Sequence, residues 1–334
     1  MAPTDVLRQI LSNGYFPAEL PPVFNTRSFG DSANRLLGDW FSKGVIGTKK
    51  VKNRPGHYKY KCPEAEPERL SIPKRGYERR IIHLTHPVPQ SLLAFEISMN
   101  MKTVSKWLSR IVFAVDTLRF SSATLKGVPD INFDAHSLKK DFIESSSDWL
   151  VKTDISRFYP SIYTHSIAWA AYGKERVKNN RKVFDGSLAD RLDQLVRLCN
   201  RNQTVGIPIG PITSRVIAEV ISSANDQNVY HSENFQKISA VDRMQDDWYA
   251  GCASLDQAES MLSILSHAYR QYDLDINGVK TSIDHISARS RDRWRTEISE
   301  FLRRSKNNLE GPPLRDFFDL VLNLHAQQPE QKVL

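Results

Sequence analysis

The sequence predicts an α+β fold with an α/β-like core and helical ends, on three observations. Short apolar runs rich in β-forming residues (Arg80–Leu84, Leu150–Asp154, Ile238–Met244 and Trp248–Cys252) alternate with stretches of helical periodicity. Three of these runs place carboxylates: Asp154 ends one, and Asp246-Asp247 lies between two others. The last part of the chain, from residue 286, reads as helix alone. Strands bearing acids, alternating with helices, define this class.

In chain order, a helix follows Thr4, with Leu7, Ile10 and Leu11 on one face and Asn13-Gly14 as its stop. Pro17, Pro21 and Pro22 force an extended path. Residues 30–47 read as helix through Leu36, Leu37, Trp40 and Phe41, whereas 49–61 show little regular patterning and 63–67 read as a loop. Residues 88–112 are expected as one long helix and 118–140 as irregular chain. Further helices begin at Tyr163, at Asp190 (Leu192, Leu195, Val196 and Cys199 in phase) and at Thr213. Two strands flank Asp246-Asp247 as a hairpin with the acids at its turn. Residues 255–272 are helical, 273–283 a short strand and turn, and 293–304 and 313–325 two final helices.

At 334 residues the chain can build two or three subdomains around a substantial core. Its 40% hydrophobic and 25% charged residues are those of a globular protein. No apolar run approaches the roughly 20 residues that span a bilayer, and the N-terminus lacks a signal-peptide pattern. The expectation is a cytoplasmic protein with no membrane partner. Cys62, Cys199 and Cys252 lie far apart without zinc-ligand or disulfide spacing. The net charge of +8 is concentrated: Lys43 to Arg80 holds twelve Lys/Arg against four Glu, interleaved with Tyr58, Tyr60 and Tyr77. Such a stretch is either a solvated basic face or a surface that neutralises phosphates, with aromatics free to stack on bases.

Adjacent carboxylates repel unless cations or hydrogen bonds compensate. A hydrophobic-flanked Asp246-Asp247 with Asp154 placed 92 residues upstream suits a site for two divalent cations and phosphoryl transfer. An exposed acidic turn is the plainer alternative for the doublet alone.

Five segments occur in one order: Ile72-Pro73-Lys74-Arg75-Gly76-Tyr77-Glu78-Arg79-Arg80-Ile81-Ile82; Thr153-Asp154 through Tyr159-Pro160-Ser161-Ile162; Gly206-Ile207-Pro208-Ile209-Gly210-Pro211-Ile212; the Asp246-Asp247 hairpin; and Leu274-Asp275-Ile276-Asn277-Gly278-Val279-Lys280-Thr281. In this order and spacing they resemble the reverse transcriptase family, over roughly residues 70–285. Gly14-Tyr15-Phe16-Pro17-Ala18-Glu19-Leu20-Pro21-Pro22, with Ser214-Arg215, Ala218-Glu219 and Asp246-Asp247-Trp248-Tyr249, resembles the bacterial abortive-infection and phage-defence group. Ile209 stands where retroviral, retron and group II intron relatives usually carry Gln, and Met244 where they commonly carry Tyr.

The resemblance implies a right-hand polymerase. Its fingers would be 1–149 (with the basic region 43–80, and part of the palm near 85–112), its palm 150–285, and a short thumb-like helical segment 286–334. It implies that Asp154, Asp246, Asp247 and the main-chain carbonyl of Ile155 hold Mg²⁺, or Mn²⁺, and that Lys74 and Arg80 grip the triphosphate. Arg79 rivals Arg80, and Lys74 alone also reads as a surface lysine. Tyr159 would exclude a ribose 2′-hydroxyl, or else is a core aromatic. Gly206 and Gly210 would let backbone approach nucleotide and template, or simply form a turn. Lys280 would serve the pyrophosphate leaving group, or snorkel from a turn. Trp248 reads as core packing behind the hairpin, with base stacking as the alternative.

The implied function is Mg²⁺-dependent addition of deoxynucleotides to a 3′ or protein hydroxyl, on an RNA template or untemplated, in antiviral defence. Implied partners are an RNA or DNA template-primer, dNTPs, a non-coding RNA or a partner protein, and further copies of the chain. The alternatives are an RNA-binding scaffold whose polymerase chemistry is dispensable and an RNA-dependent RNA polymerase.

Overall fold

A computed structural model gives the fold and describes residues 2–74, 77–110, 112–121, 124, 126–233, 235, 240–288, 293–305 and 310–327. Arg75 and Gly76 of the first motif, and 238–239 at the start of the expected Ile238–Met244 strand, lie outside the described residues. One compact unit spans Met1–Ile283 and a second Asp284–Leu334.

Helix α1 (Pro3–Asn13) buries Val6, Leu7, Ile10 and Leu11 on one face and stops at Gly14. The helix expected over 30–47 is two, α2 (Arg27–Asp31) and α3 (Ala33–Ser42), with Ser32 as the joint. Where no patterning is legible, β1 (Gly47–Lys50) and β2 (Tyr58–Lys61) form an antiparallel hairpin. Alternation is hidden there because Tyr60 is the sole buried residue of the two strands; docking onto the Gly186 turn, through Tyr58 N–H to the Gly186 carbonyl at 3.1 Å, holds them.

A second hairpin, β3 (Glu68–Pro73) and β4 (Arg79–Leu84), pairs Ile72 with Arg80. The long helix expected over 88–112 is α4 (Pro87–Met99) and α5 (Met101–Leu108), broken at Asn100, whose side chain donates to the Glu96 carbonyl and carboxylate. Helix α6 (Phe133–Ser145) occupies part of the stretch expected to be irregular; Asn132 caps it, and large apolar residues stay exposed along it (Phe133, Leu138, Phe142), which conceals its periodicity.

Strand β5 (Trp149–Thr153) leads to short helices α7 (Phe158–Ser161), α8 (Ser166–Tyr172), α9 (Lys174–Asn179) and α10 (Arg181–Phe184). Then come α11 (Leu188–Leu198), α12 (Ile212–Tyr230), the hairpin β6 (Ala240–Met244) and β7 (Asp247–Cys252), α13 (Leu255–Arg270) and β8 (Ser282–His285). The central sheet has the order β6-β7-β5-β8, with β7 antiparallel to both β6 and β5. Its two faces are covered by different helices. Tyr249 donates from its hydroxyl to Glu144 of α6, while Trp248 donates from its indole to the Tyr269 hydroxyl of α13 at 2.8 Å. Burial on both faces explains why β7 reads as a continuous apolar run rather than an alternation.

The second unit contains a short 3₁₀ turn, α14 (Arg293–Arg304) and α15 (Pro312–Gln327), with Phe301 and Phe317 in ring contact. Among the described residues no helix is long and apolar enough to cross a membrane.

Candidate active site

The acidic hairpin has a two-residue turn, Gln245-Asp246, because Met244 pairs with Asp247. Gln245 takes φ 59°, the left-handed conformation such tight turns require at a central position. Asp247 is therefore the first residue of β7, not part of the loop. Thr153 of β5 lies opposite Trp248, so Asp154 leaves its strand beside Asp247. The register also separates the doublet. Asp246 lines a cleft of about 1270 Å³ with Asp154, whereas Asp247 lines a smaller cleft of about 340 Å³ on the α6 side, with Lys140 and Lys152. Asp154 and Lys280 line both.

Lys280 is delivered by lacing between distant segments. The Asn277 amide donates to the Asp154 carbonyl (2.8 Å) and the Ser156 amide to the Asp275 carbonyl (2.9 Å), with Ile155 bridged to Ile276. Thr153 and Thr281 share a hydroxyl hydrogen bond at 2.7 Å. From this turn the Lys280 ammonium reaches Asp154 Oδ2 in a close ion pair. That contact, helped by the charges of Asp154, Asp247 and Asp246, raises the lysine's pKa over the opposing effect of burial.

The other sequence-derived positions lie on the walls of the larger cleft: Lys74, Arg79, Arg80, Ile155, Tyr159, Gly206 and Gly210. Lys74 pairs with Glu78 at 2.9 Å, and that pairing lowers the Glu78 pKa. Arg80 faces Glu19 across the cleft at 3.6 Å, while Arg79 folds back to donate to Ser71. Of the two rivals, Arg80 is thus the one reaching across. The Tyr159 ring packs edge-on to Phe158 at the core margin and also lines the cleft. Burial, followed by Glu219 and Asp246, raises its pKa.

At Gly210 (φ 129°) a Cβ would meet the Pro17 ring at 2.4 Å, and at Gly206 (φ 87°) the Pro160 carbonyl at 3.1 Å. Glycine is needed at these positions for the close approach of protein segments to each other. The neighbouring Ile209 exchanges hydrogen bonds with His83, tying this turn to β4. Burial of His83 lowers its pKa, in keeping with an imidazole whose Nδ1 accepts from the Ile209 amide.

The electrostatics are those of crowded carboxylates. Burial, then Asp247, raises the Asp246 pKa to about 7, with Asp154 adding to the effect. Asp247 is raised by burial and then by Asp154, against the lysines around it. Asp154 Oδ1 is buried without a hydrogen-bond partner among the described residues. An all-oxygen donor set with excess negative charge suits a hard divalent cation. It is not a preformed cage: among the described residues no three His, Cys, Asp or Glu side chains gather around one point in ligand geometry. Lys280 holds the remaining Asp154 oxygen.

Among the aromatic residues, the stacking expected of the basic stretch is corrected at two tyrosines, whereas Trp248 packs as expected. Tyr58 and Tyr60 are not free to stack on bases, since both hydroxyls donate to the buried Glu96, and Arg191 lies over the Tyr58 ring at 4.1 Å. Trp248 is core, 1% exposed and bonded to Tyr269. Other contributors escaped the sequence reading. Arg243 is fully buried and donates to the Gln245 carbonyl in the acid-bearing turn. Its partners Glu219 and Asp226 lie seven residues apart on one face of α12, the two acidic residues of that helix and both buried, and that spacing was the available signal. Lys140 and Lys152 beside Asp247 carry no motif.

No protein-family model matches the chain, and no curated protein matches it. Among solved structures it is similar to apo telomerase from Candida tropicalis, with TM-score 0.44, 10% identity, and coverage of 84% of this chain and 53% of that one. A C-terminally truncated form of that telomerase has TM-score 0.44, 13% identity, and coverage of 83% and 59%. Telomerase from Candida albicans in complex with the TWJ fragment of telomeric RNA has TM-score 0.40, 12% identity, and coverage of 92% and 59%. The chain thus spans between 53% and 59% of the length of these structures.

Proposed function

We propose that the protein is a nucleotidyltransferase of reverse transcriptase type that adds deoxynucleotides to a hydroxyl. The observation that carries the reading is one cleft lined together by Asp154, Asp246, Lys280, Lys74, Arg80 and Tyr159. Asp154, Asp246, Asp247 and the Ile155 carbonyl are the residues that would hold Mg²⁺ or Mn²⁺. Such ions, when bound, neutralise the carboxylates and polarise phosphoryl oxygens.

The chain's own groups have definite tasks in this reading. Arg80 can exchange Glu19, and Lys74 can exchange Glu78, for the triphosphate oxygens of a nucleotide, because both ion pairs are exposed and weakly held. Arginine gives the bidentate grip and lysine a point charge. Lys280 turns from Asp154 to the leaving pyrophosphate, to which it can supply a proton. Tyr159 presents its ring where a sugar would sit and disfavours a 2′-hydroxyl. The phage-defence setting, the cytoplasmic location, RNA templating or its absence, a protein primer hydroxyl and self-association belong to the same proposal, supported by the bacterial-type motifs.

The experiment is incorporation of labelled dNTPs with Mg²⁺ by the intact protein and by Asp154→Asn and Asp246→Asn. Each variant is expected to lose activity by on the order of a thousandfold while remaining folded. Full activity in either would remove the acids from the chemistry.

A further inference from the structure

We propose that Arg243 is a positioning residue: it locks the turn bearing Asp246 onto helix α12 and so sets the geometry of the acidic site. The inference rests on the reading of Asp246 as a cation-facing carboxylate and adds to it what holds that carboxylate in place.

The guanidinium has five N–H donors in a rigid fork, and here all five are used. Nε and Nη2 donate to the two oxygens of Asp226 at 2.7 and 3.1 Å. Nη1 and Nη2 donate to the oxygens of Glu219 at 3.3 and 3.1 Å. The fifth, from Nη1, goes to the Gln245 carbonyl at 2.7 Å. That carbonyl belongs to the peptide plane joining Gln245 to Asp246, and Gln245 is the residue held at positive φ. Rotation of this plane would swing the Asp246 carboxyl within the cleft, and the fork opposes such rotation.

The anchor is as significant as the grip. Arg243, Asp226 and Glu219 are all buried, at 0%, 0% and 7% exposure. A buried ion network is a poor means of gaining stability, because desolvation consumes most of the Coulombic gain. Apolar residues would pack this strand at least as well but could not hold a carbonyl. The helix supplying the carboxylates starts directly after the Gly206–Gly210 turn, which Pro17 and His83 pack or bond against. Helix α12 is therefore a rigid bar between the turn carrying Gly210 and the turn carrying Asp246. Lysine cannot replace the fork, since a point charge on a flexible stem does not span two carboxylates and a carbonyl.

The test uses the full chain with Arg243→Lys and Glu219→Gln, the second leaving a balanced Arg243–Asp226 pair if the first fails to fold. Cation affinity is read by terbium luminescence sensitised through Trp248, which follows Asp247, and kcat and KM by dNTP incorporation. For Arg243→Lys the expectation is about a hundredfold fall in kcat, the scale of an ångström-level misplacement, and weaker terbium binding by about tenfold, with KM for dNTP nearly unchanged. Glu219→Gln should shift the same two quantities by about fivefold. Wild-type kcat and terbium affinity in the folded variants, or a loss confined to KM, would overturn the proposal. The Asp246→Asn control separates the failures. If it is inactive while the Arg243 and Glu219 variants are normal, the positioning role alone falls; if it is fully active, the acidic-site reading falls as well.

Discussion

Asp246 illustrates how much of the site's chemistry resides in single residues. Its carboxyl is held near pKa 7 by burial and by Asp247, far above an ordinary Asp at about 4. Between those values the folded protein binds the proton more tightly than the unfolded chain, so stability falls as pH rises from about 4 through about 7, by at most about 4 kcal/mol. Asp246→Asn removes the penalty. In chelator it should raise the melting temperature at pH 8 and leave it nearly unchanged at pH 4.5, as thermal unfolding at the two pH values would reveal. Gly210→Ala must place a methyl within the Pro17 ring at a backbone conformation alien to alanine. A destabilisation of about 1–3 kcal/mol is expected in urea titration. Tyr159→Ala should raise incorporation of NTP relative to dNTP by about tenfold or more, read from paired kcat/KM values.

At the scale of elements, the sequence revealed the strands that end in acids and missed those held from outside. β5 and the Asp246-Asp247 hairpin were legible because apolar runs end abruptly in charge. The β1–β2 hairpin was not, since its support comes from Gly186 and from Gln194, which exchanges hydrogen bonds with the Tyr60 backbone. α12 was legible as a helix, but the task of Glu219 and Asp226 was not, because nothing local links them to Arg243. Lys49, Lys50 and Lys61 remain exposed on the basic hairpin, while Lys59 is engaged by Asp185. Replacing those three exposed lysines by alanine should weaken nucleic-acid binding and flatten the logarithmic salt slope by about 2, allowing for incomplete phosphate contact. Filter binding between low and physiological salt measures it; an unchanged slope would remove the hairpin from the interface.

On the scale of the molecule, five motifs scattered over the sequence line two adjoining clefts that share Asp154 and Lys280. The lacing of 154–156 to 275–277 and of Ile209 to His83 achieves that convergence, and backbone hydrogen bonds of this kind leave no trace in residue type. The most direct measurement of the central claim is Mg²⁺-dependent incorporation of dNTPs by the intact protein, compared with Asp154→Asn and Asp246→Asn of verified fold. The wild type is expected to incorporate dNTPs and both variants to lose that activity, by on the order of a thousandfold. Incorporation at the wild-type level in either variant would contradict that claim.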